Sequence, residues 1–206
     1  MLKQHIVERA RYIISKLQLN GTFYMAGGCF DQQIRDVDLF DYDGPKIKAA
    51  TIVETKNATT YATTPWPLQI CKYLKPTLAT LLESFDFAHC QVGVKVRDRS
   101  VIDICWTKAF EDARLTQQTW FTGSEYPLAS LFRFEKYKQR GLIKTIKSKI
   151  AILTAIYKRG FKDYDDFKDQ LDAVDLGLAP EEYKDALPEL SEFYELLCRA
   201  PSDAEY

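Results

Sequence analysis

The residues best equipped for chemistry lie between Met25 and Phe40, in the run Met-Ala-Gly-Gly-Cys-Phe-Asp-Gln-Gln-Ile-Arg-Asp-Val-Asp-Leu-Phe. Asp36 and Asp38 stand one residue apart among apolar neighbours, and on a strand they would share one face while Val37 and Leu39 turn to the other. Aspartate is disfavoured in strands, so two of them inside such a run call for a reason. Adjacent carboxylates repel unless a cation lies between them, and Mg²⁺ is usually held by one or two carboxylates together with substrate phosphates. Gly27 and Gly28 supply the complementary part: without Cβ atoms the backbone lets a phosphate come close and offers it N–H groups. A solvated strand face is the bland account of the two aspartates, and the nearby glycine pair weighs against it.

Four blocks in order carry a resemblance: Ala26-Gly-Gly28, Arg35-Asp-Val-Asp-Leu-Phe40, Phe85-Asp-Phe87 with Cys90-Gln-Val-Gly93, and Arg133-x-x-Lys136-Tyr137-x-x-Arg140-Gly141. They resemble the DNA polymerase beta-type nucleotidyltransferase superfamily, and within it a branch found in viruses and fungi. The resemblance implies transfer of a nucleoside monophosphate from an NTP to a hydroxyl acceptor, with Mg²⁺ or Mn²⁺ as cofactor. Two metal ions commonly serve such a reaction, one lowering the pKa of the attacking hydroxyl and one bridging the triphosphate oxygens. Asp36 and Asp38 become metal ligands, and a third carboxylate is wanted from a neighbouring strand. Asp86, inside a shared block, is the first candidate for both metal binding and catalysis, and Asp103, in Val101-Ile-Asp-Ile-Cys105, is the second. A paired or surface aspartate is the plain alternative for each. Were the third strand Leu68-Gln-Ile-Cys71 instead, its position would hold Gln69 and the second metal site would be weakened.

Arg133, Lys136 and Arg140 recur at i, i+3 and i+7, on one face of a helix. Such a face is often merely solvated. Placed across from the carboxylates, it would hold the β- and γ-oxygens of a triphosphate. Tyr137 reads as a core residue that could instead stack on a base. Lys144, Lys147, Lys149, Lys158 and Lys162 carry positive charge further than one nucleotide needs, toward a nucleic-acid backbone such as a tRNA end or toward the chain's own acidic C-terminus. From Asp163 onward fourteen acidic residues face only Lys168, Lys184 and Arg199. His89 reads as a buried, hydrogen-bonded histidine, and Cys29 as a small buried side chain beside the glycines.

The 206 residues, 46% of them hydrophobic, suffice for one core and a small second lobe, and a net charge of −1 gives no global pull toward nucleic acid or membrane. Five scattered cysteines, an odd number without close metal-type pairing, fit a reducing compartment. The N-terminal residues have no apolar core of signal-peptide length, and no later stretch is long and uncharged enough to span a bilayer. A soluble cytoplasmic protein is expected.

The elements that must position these groups follow from the apolar spacing. It predicts a helix over 3–19 stopped at Asn20-Gly21, a strand over 22–26, a tight connection over 31–35, and an aspartate-bearing strand ending in a turn over 41–45. A hairpin over 46–63, a strand over 68–73 and a helix over 76–84 come next, then strands over 85–96 and 101–106. From Pro127 the period becomes helical, broken at Gly141 and Gly160, with further amphipathic stretches over 164–176 and 180–198. The expected fold is α/β (α+β): a nucleotidyltransferase-type mixed sheet with helices on one side over 1–122, followed by a helical domain over 123–206.

The acceptor is open at this stage: an RNA 3′ end, a protein or a small molecule. Two other readings stand beside the enzyme. One is a module of the same fold that binds nucleotide or RNA without turning it over; the other is an antitoxin-like interaction protein using its acidic C-terminal face.

Overall fold

The computed structural model describes residues 2–31, 33–72, 75–172 and 194–195. Strands β1 (Thr22–Ala26), β2 (Val37–Asp43), β3 (Thr51–Glu54), β4 (Ala58–Tyr61), β5 (Leu68–Cys71), β6 (Val92–Arg97) and β7 (Ser100–Trp106) form one sheet in the order β3-β4-β5-β2-β1-β6-β7. Every pairing is antiparallel except that of β2 with β5.

Alternation along β2 sorts the two faces. Val37 and Leu39 are fully buried on one side, where Ile6, Ala10, Ile13 and Ile14 of α1 (Leu2–Leu17) meet Phe23, Met25 and the valines of β6. Phe110 of α3 (Lys108–Thr116) joins the same core. On the other face, Leu78, Leu81 and Leu82 of α2 (Leu78–Glu83) cover Tyr24, Ala26 and Phe40. Gly93 allows that approach, since a Cβ there would lie 2.8 Å from the Ala26 Cβ and 3.1 Å from Leu78 Cδ1. Helices therefore flank both faces, where the sequence pattern predicts them on one.

Other departures have local causes. α1 ends at Leu17 because Gln18 is left-handed (φ 52) and Leu19 N returns to Ile14 O. Gly21 serves a different purpose, letting the chain pass Asp43, whose carbonyl oxygen leaves no room for a Cβ. β2 continues to Asp43, into the turn expected over 41–45, because Asp41, at φ 51, accommodates a bulge against β1. The segment 85–91, expected as strand, is a loop with a 3₁₀ turn at Ala88–Cys90. Gln91, buried, ties this loop down by donating from Nε2 to Phe85 O and Thr122 Oγ1 while accepting from Thr107 Oγ1. α3, which the pattern leaves unassigned, starts at Thr107, whose side chain accepts from Phe110 N.

Beyond the sheet come α4 (Pro127–Gln139), α5 (Lys147–Arg159) and α6 (Tyr164–Asp172). Phe134 and Tyr137 of α4 and Ile152 of α5 pack with Phe87 and Ile143. Arg159, closing α5, grips Asp166 of α6 through two hydrogen bonds of 2.7 Å. The helix expected over 180–198 lies outside the described residues apart from Tyr194, whose ring meets Phe161, Tyr164 and Phe167, and Glu195. No described helix is long and apolar enough to cross a membrane.

Candidate active site

The part of the sheet that α2 leaves uncovered, over β2, β5 and β4, is the floor of a cleft of about 360 Å³ walled by α4. Asp38, and Asp36 just before the strand, line it, as their alternation with buried Val37 requires. β1 ends at Ala26 beside Asp38, and Gly27 turns the chain at φ 89 and ψ −146, a backbone region essentially reserved for glycine. A Cβ on Gly27 would stand 3.5 Å from Asp38 Oδ2. The Gly27 N–H is not offered to a ligand, contrary to expectation: it donates to Val92 O at 3.0 Å.

Gly28 differs from its neighbour. No atom lies within 4 Å of the Cβ it lacks, and it lines the cleft. As the first residue of the 3₁₀ turn Gly28–Phe30, its N–H finds no acceptor inside the turn. Gly27 thus supplies the bend and Gly28 the open approach. Arg9 of α1 fixes this turn from behind, donating from Nε to Cys29 O at 3.1 Å and from Nη2 to Asp31 O. Cys29 is buried beneath, its thiol held neutral by burial and by the charges of Asp38 and Asp36.

The candidates for a third carboxylate fare differently. Asp86 lines the cleft, but from the loop before β6 rather than from a strand. Its Oδ2 accepts from Arg133 Nε at 2.8 Å and from Ser130 Oγ at 2.7 Å. Burial works against the Arg133 charge, yet the Asp86 carboxylate, with Tyr137 and Cys90 beside it, outweighs burial and the guanidinium pKa is raised. Asp103 is not brought to the cleft. β7 lies three strands from β2, about 14 Å at the usual strand spacing, and Asp103 is exposed there opposite Lys95. The residue beside Asp38 across the parallel β2–β5 pairing is Gln69, whose Nε2 donates to Thr60 Oγ1 at 3.1 Å. Among the described residues no group of three His, Cys, Asp or Glu could hold a metal ion. Asp36 and Asp38 beside an open glycine are two hard-oxygen donors, the protein's share of what a single Mg²⁺ or Mn²⁺ would need alongside phosphate oxygens and water.

Lys136 and Arg140 line the cleft with Arg133, and Arg35 joins them from the loop before β2. Partial burial, and then the neighbouring charge of Arg35, push the Arg140 pKa down. Two guanidiniums therefore crowd one another, with Asp36 and Asp31 as nearby counter-charges. Tyr137 is a core residue, its ring edge-on to those of Phe87 at 4.8 Å and His89 at 4.3 Å. His89 meets Thr119 Oγ1 through Nδ1 at 2.9 Å, and burial pushes its pKa down to about 4, so it is neutral at pH 7. Of the outer lysines none lines the cleft; Lys149 pairs with Glu135 at 3.0 Å. The sequence pattern did not single out Phe40 and Phe85, whose rings meet at 5.6 Å in a corner of the cleft. For Phe40 the signal was there, since it follows Asp38 by two residues and shares its face.

No protein-family model matches the chain, and no curated protein sequence matches it. In fold it is similar to the Thermotoga maritima CCA-adding enzyme complexed with tRNA_CCA, with a TM-score of 0.50 and 13% sequence identity over 76% of this chain. The match takes in 45% of that enzyme, so this chain spans less than half of its length. At this identity the likeness is one of fold alone: a nucleotidyltransferase-type mixed sheet with flanking helices.

Proposed function

We propose that this chain is a Mg²⁺-dependent nucleotidyltransferase that moves a nucleoside monophosphate from an NTP to a hydroxyl acceptor and releases pyrophosphate. The observation that carries this reading is the convergence of the Asp36–Asp38 pair, the Gly27–Gly28 turn and a cationic wall on one cleft. The third and fourth sequence blocks also meet, with Asp86 bonded to Arg133 and Cys90 Sγ 3.6 Å from the Tyr137 hydroxyl.

Asp36 and Asp38 would hold the ion, Mg²⁺ or Mn²⁺, which when bound neutralises charge on the phosphoryl oxygens. Arg35, Lys136 and Arg140 bind the β- and γ-phosphates, since guanidiniums that repel each other gain most when a polyanion enters between them. Asp86 and Ser130 position Arg133 on the same wall. Gly28 admits a phosphate where any side chain would obstruct it, and Phe85, partly buried and backed by Phe40, offers its ring to a base. The acceptor favoured here is an RNA 3′ end. Exposed Lys144, Lys147 and Lys158 extend positive charge past the cleft, and the fold neighbour is an enzyme complexed with tRNA. Among the described residues Cys29, Cys71, Cys90 and Cys105 are in the thiol form, which suits a cytoplasmic setting.

Incubation with each labelled NTP and Mg²⁺, offering total RNA and total protein as acceptors, tests the reading. Label is expected in RNA and is lost on Asp38→Ala. Transfer that survives Asp38→Ala would overturn it. NTP binding without transfer would identify the silent module instead, a reading that the amide of Gln69 beside Asp38 favours.

A further inference from the structure

We infer that this site holds one divalent ion tightly rather than two, and that Gln69 is the residue that sets the limit. The inference rests on the nucleotidyl-transfer reading and narrows it. Two-metal sites keep their ions about 3.5–4 Å apart, so four positive charges share a small volume and require anionic oxygens from several sides. Phosphates supply some of these, and the protein must supply the rest. Mg²⁺ dehydrates reluctantly and demands near-ideal hard-oxygen geometry, so a neutral amide is a poor exchange for a carboxylate.

The register leaves little choice about which residue matters. Gln69 is the Cα partner of Asp38 on the parallel strand, on the same face and lining the same cleft. Its amide is oriented by donation from Nε2 to Thr60 Oγ1 at 3.1 Å, and its Oε1 receives the weak contact of the Cys71 thiol at 3.9 Å. The other acids of the cleft are committed elsewhere. Asp86 answers Arg133 and Ser130, Glu125 lies 3.6 Å from Lys75, and Asp31 follows the glycine turn rather than lying on the strand beside Asp38. A second ion next to Asp38 would therefore find an amide dipole where it needs a charge.

Counting bound Mn²⁺ by electron paramagnetic resonance on the full chain, with a non-hydrolysable NTP present, tests this directly. The expected count is one tight ion in the native protein, one in Gln69→Ala and two in Gln69→Glu. Without metal, the added carboxylate beside Asp38 should lower the melting temperature of Gln69→Glu, and Mn²⁺ should restore it by more than it raises that of the native protein. Should Gln69→Glu fail to fold, the shorter Gln69→Asp is counted in its place. Two tight ions in the native protein would overturn the inference, as would a carboxylate variant that still binds one. A native count of zero sinks the nucleotidyl-transfer reading along with it. One ion with no label reaching RNA or protein defeats transfer alone and leaves the count standing.

Discussion

Gly27 and Gly28 are neighbours with different duties, and substitution separates them. Gly27→Ala forces a side chain into a backbone region it rarely adopts, so a loss of about 1–3 kcal/mol in stability is expected, read from the shift of the urea midpoint. Gly28→Ala meets no atom within 4 Å, so stability should hold while NTP binding weakens about tenfold or more in titration calorimetry, each tenfold being about 1.4 kcal/mol. If Gly28→Ala binds NTP as the native protein does, the open approach has no part in phosphate binding. His89 yields a second expectation. Burial lowers its pKa from 6.5 to about 4, so between those values the unfolded chain takes up a proton that the folded one refuses. The contribution is fully present above pH 6.5 and is lost as pH falls toward 4, at most on the order of 3 kcal/mol. Urea titrations at pH 7 and 4.5 should show this loss, and it should shrink in His89→Gln. At this scale the acidic pair was legible because strand alternation is local. The Gly27 amide was not, because its acceptor, Val92, comes from a strand 65 positions later, and no local pattern says which strands pair.

Among elements, α5 shows most clearly what periodicity omits. The apolar spacing over 143–157 identified a helix correctly but not which side of it is buried. Ile152 is fully buried against Phe134 and Tyr137, whereas Ile146, Ile150, Leu153 and Tyr157 are 69, 55, 48 and 88% exposed. Ile152→Ala should therefore cost about 2–5 kcal/mol. Tyr157→Ser should fall within about 0.5 kcal/mol of the native protein, and chemical denaturation of both variants checks the contrast. A large loss from Tyr157→Ser would show that the outer stripe is covered in the folded protein. The loop over 85–91 is a second case. Its apolar residues suggested a strand, but Phe87 packs against Tyr137 of α4 and Gln91 clamps the backbone, so tertiary contacts override the strand preference. Asp86 consequently meets Arg133 instead of standing on a strand beside Asp38.

At the scale of the whole molecule, near-neutral net charge conceals a division of labour. The cations Arg35, Lys136 and Arg140 line the cleft, while exposed Lys144, Lys147 and Lys158 lie outside it. If an RNA end is the acceptor, the two groups should separate by experiment. Replacing those three lysines by alanine should leave NTP affinity unchanged and weaken RNA binding more at low salt than at high. For a single strand each lost phosphate contact reduces the slope of log K against log salt by about 0.7, so the triple variant should be shallower by about 2. Fluorescence anisotropy of a labelled oligonucleotide across a salt series measures that slope. An unchanged slope would remove these lysines from the acceptor path and leave a protein or small-molecule hydroxyl as the group that reaches Asp36 and Asp38. The composition alone was silent on this, since a balanced total does not reveal whether opposite charges are neighbours or lie on separate faces.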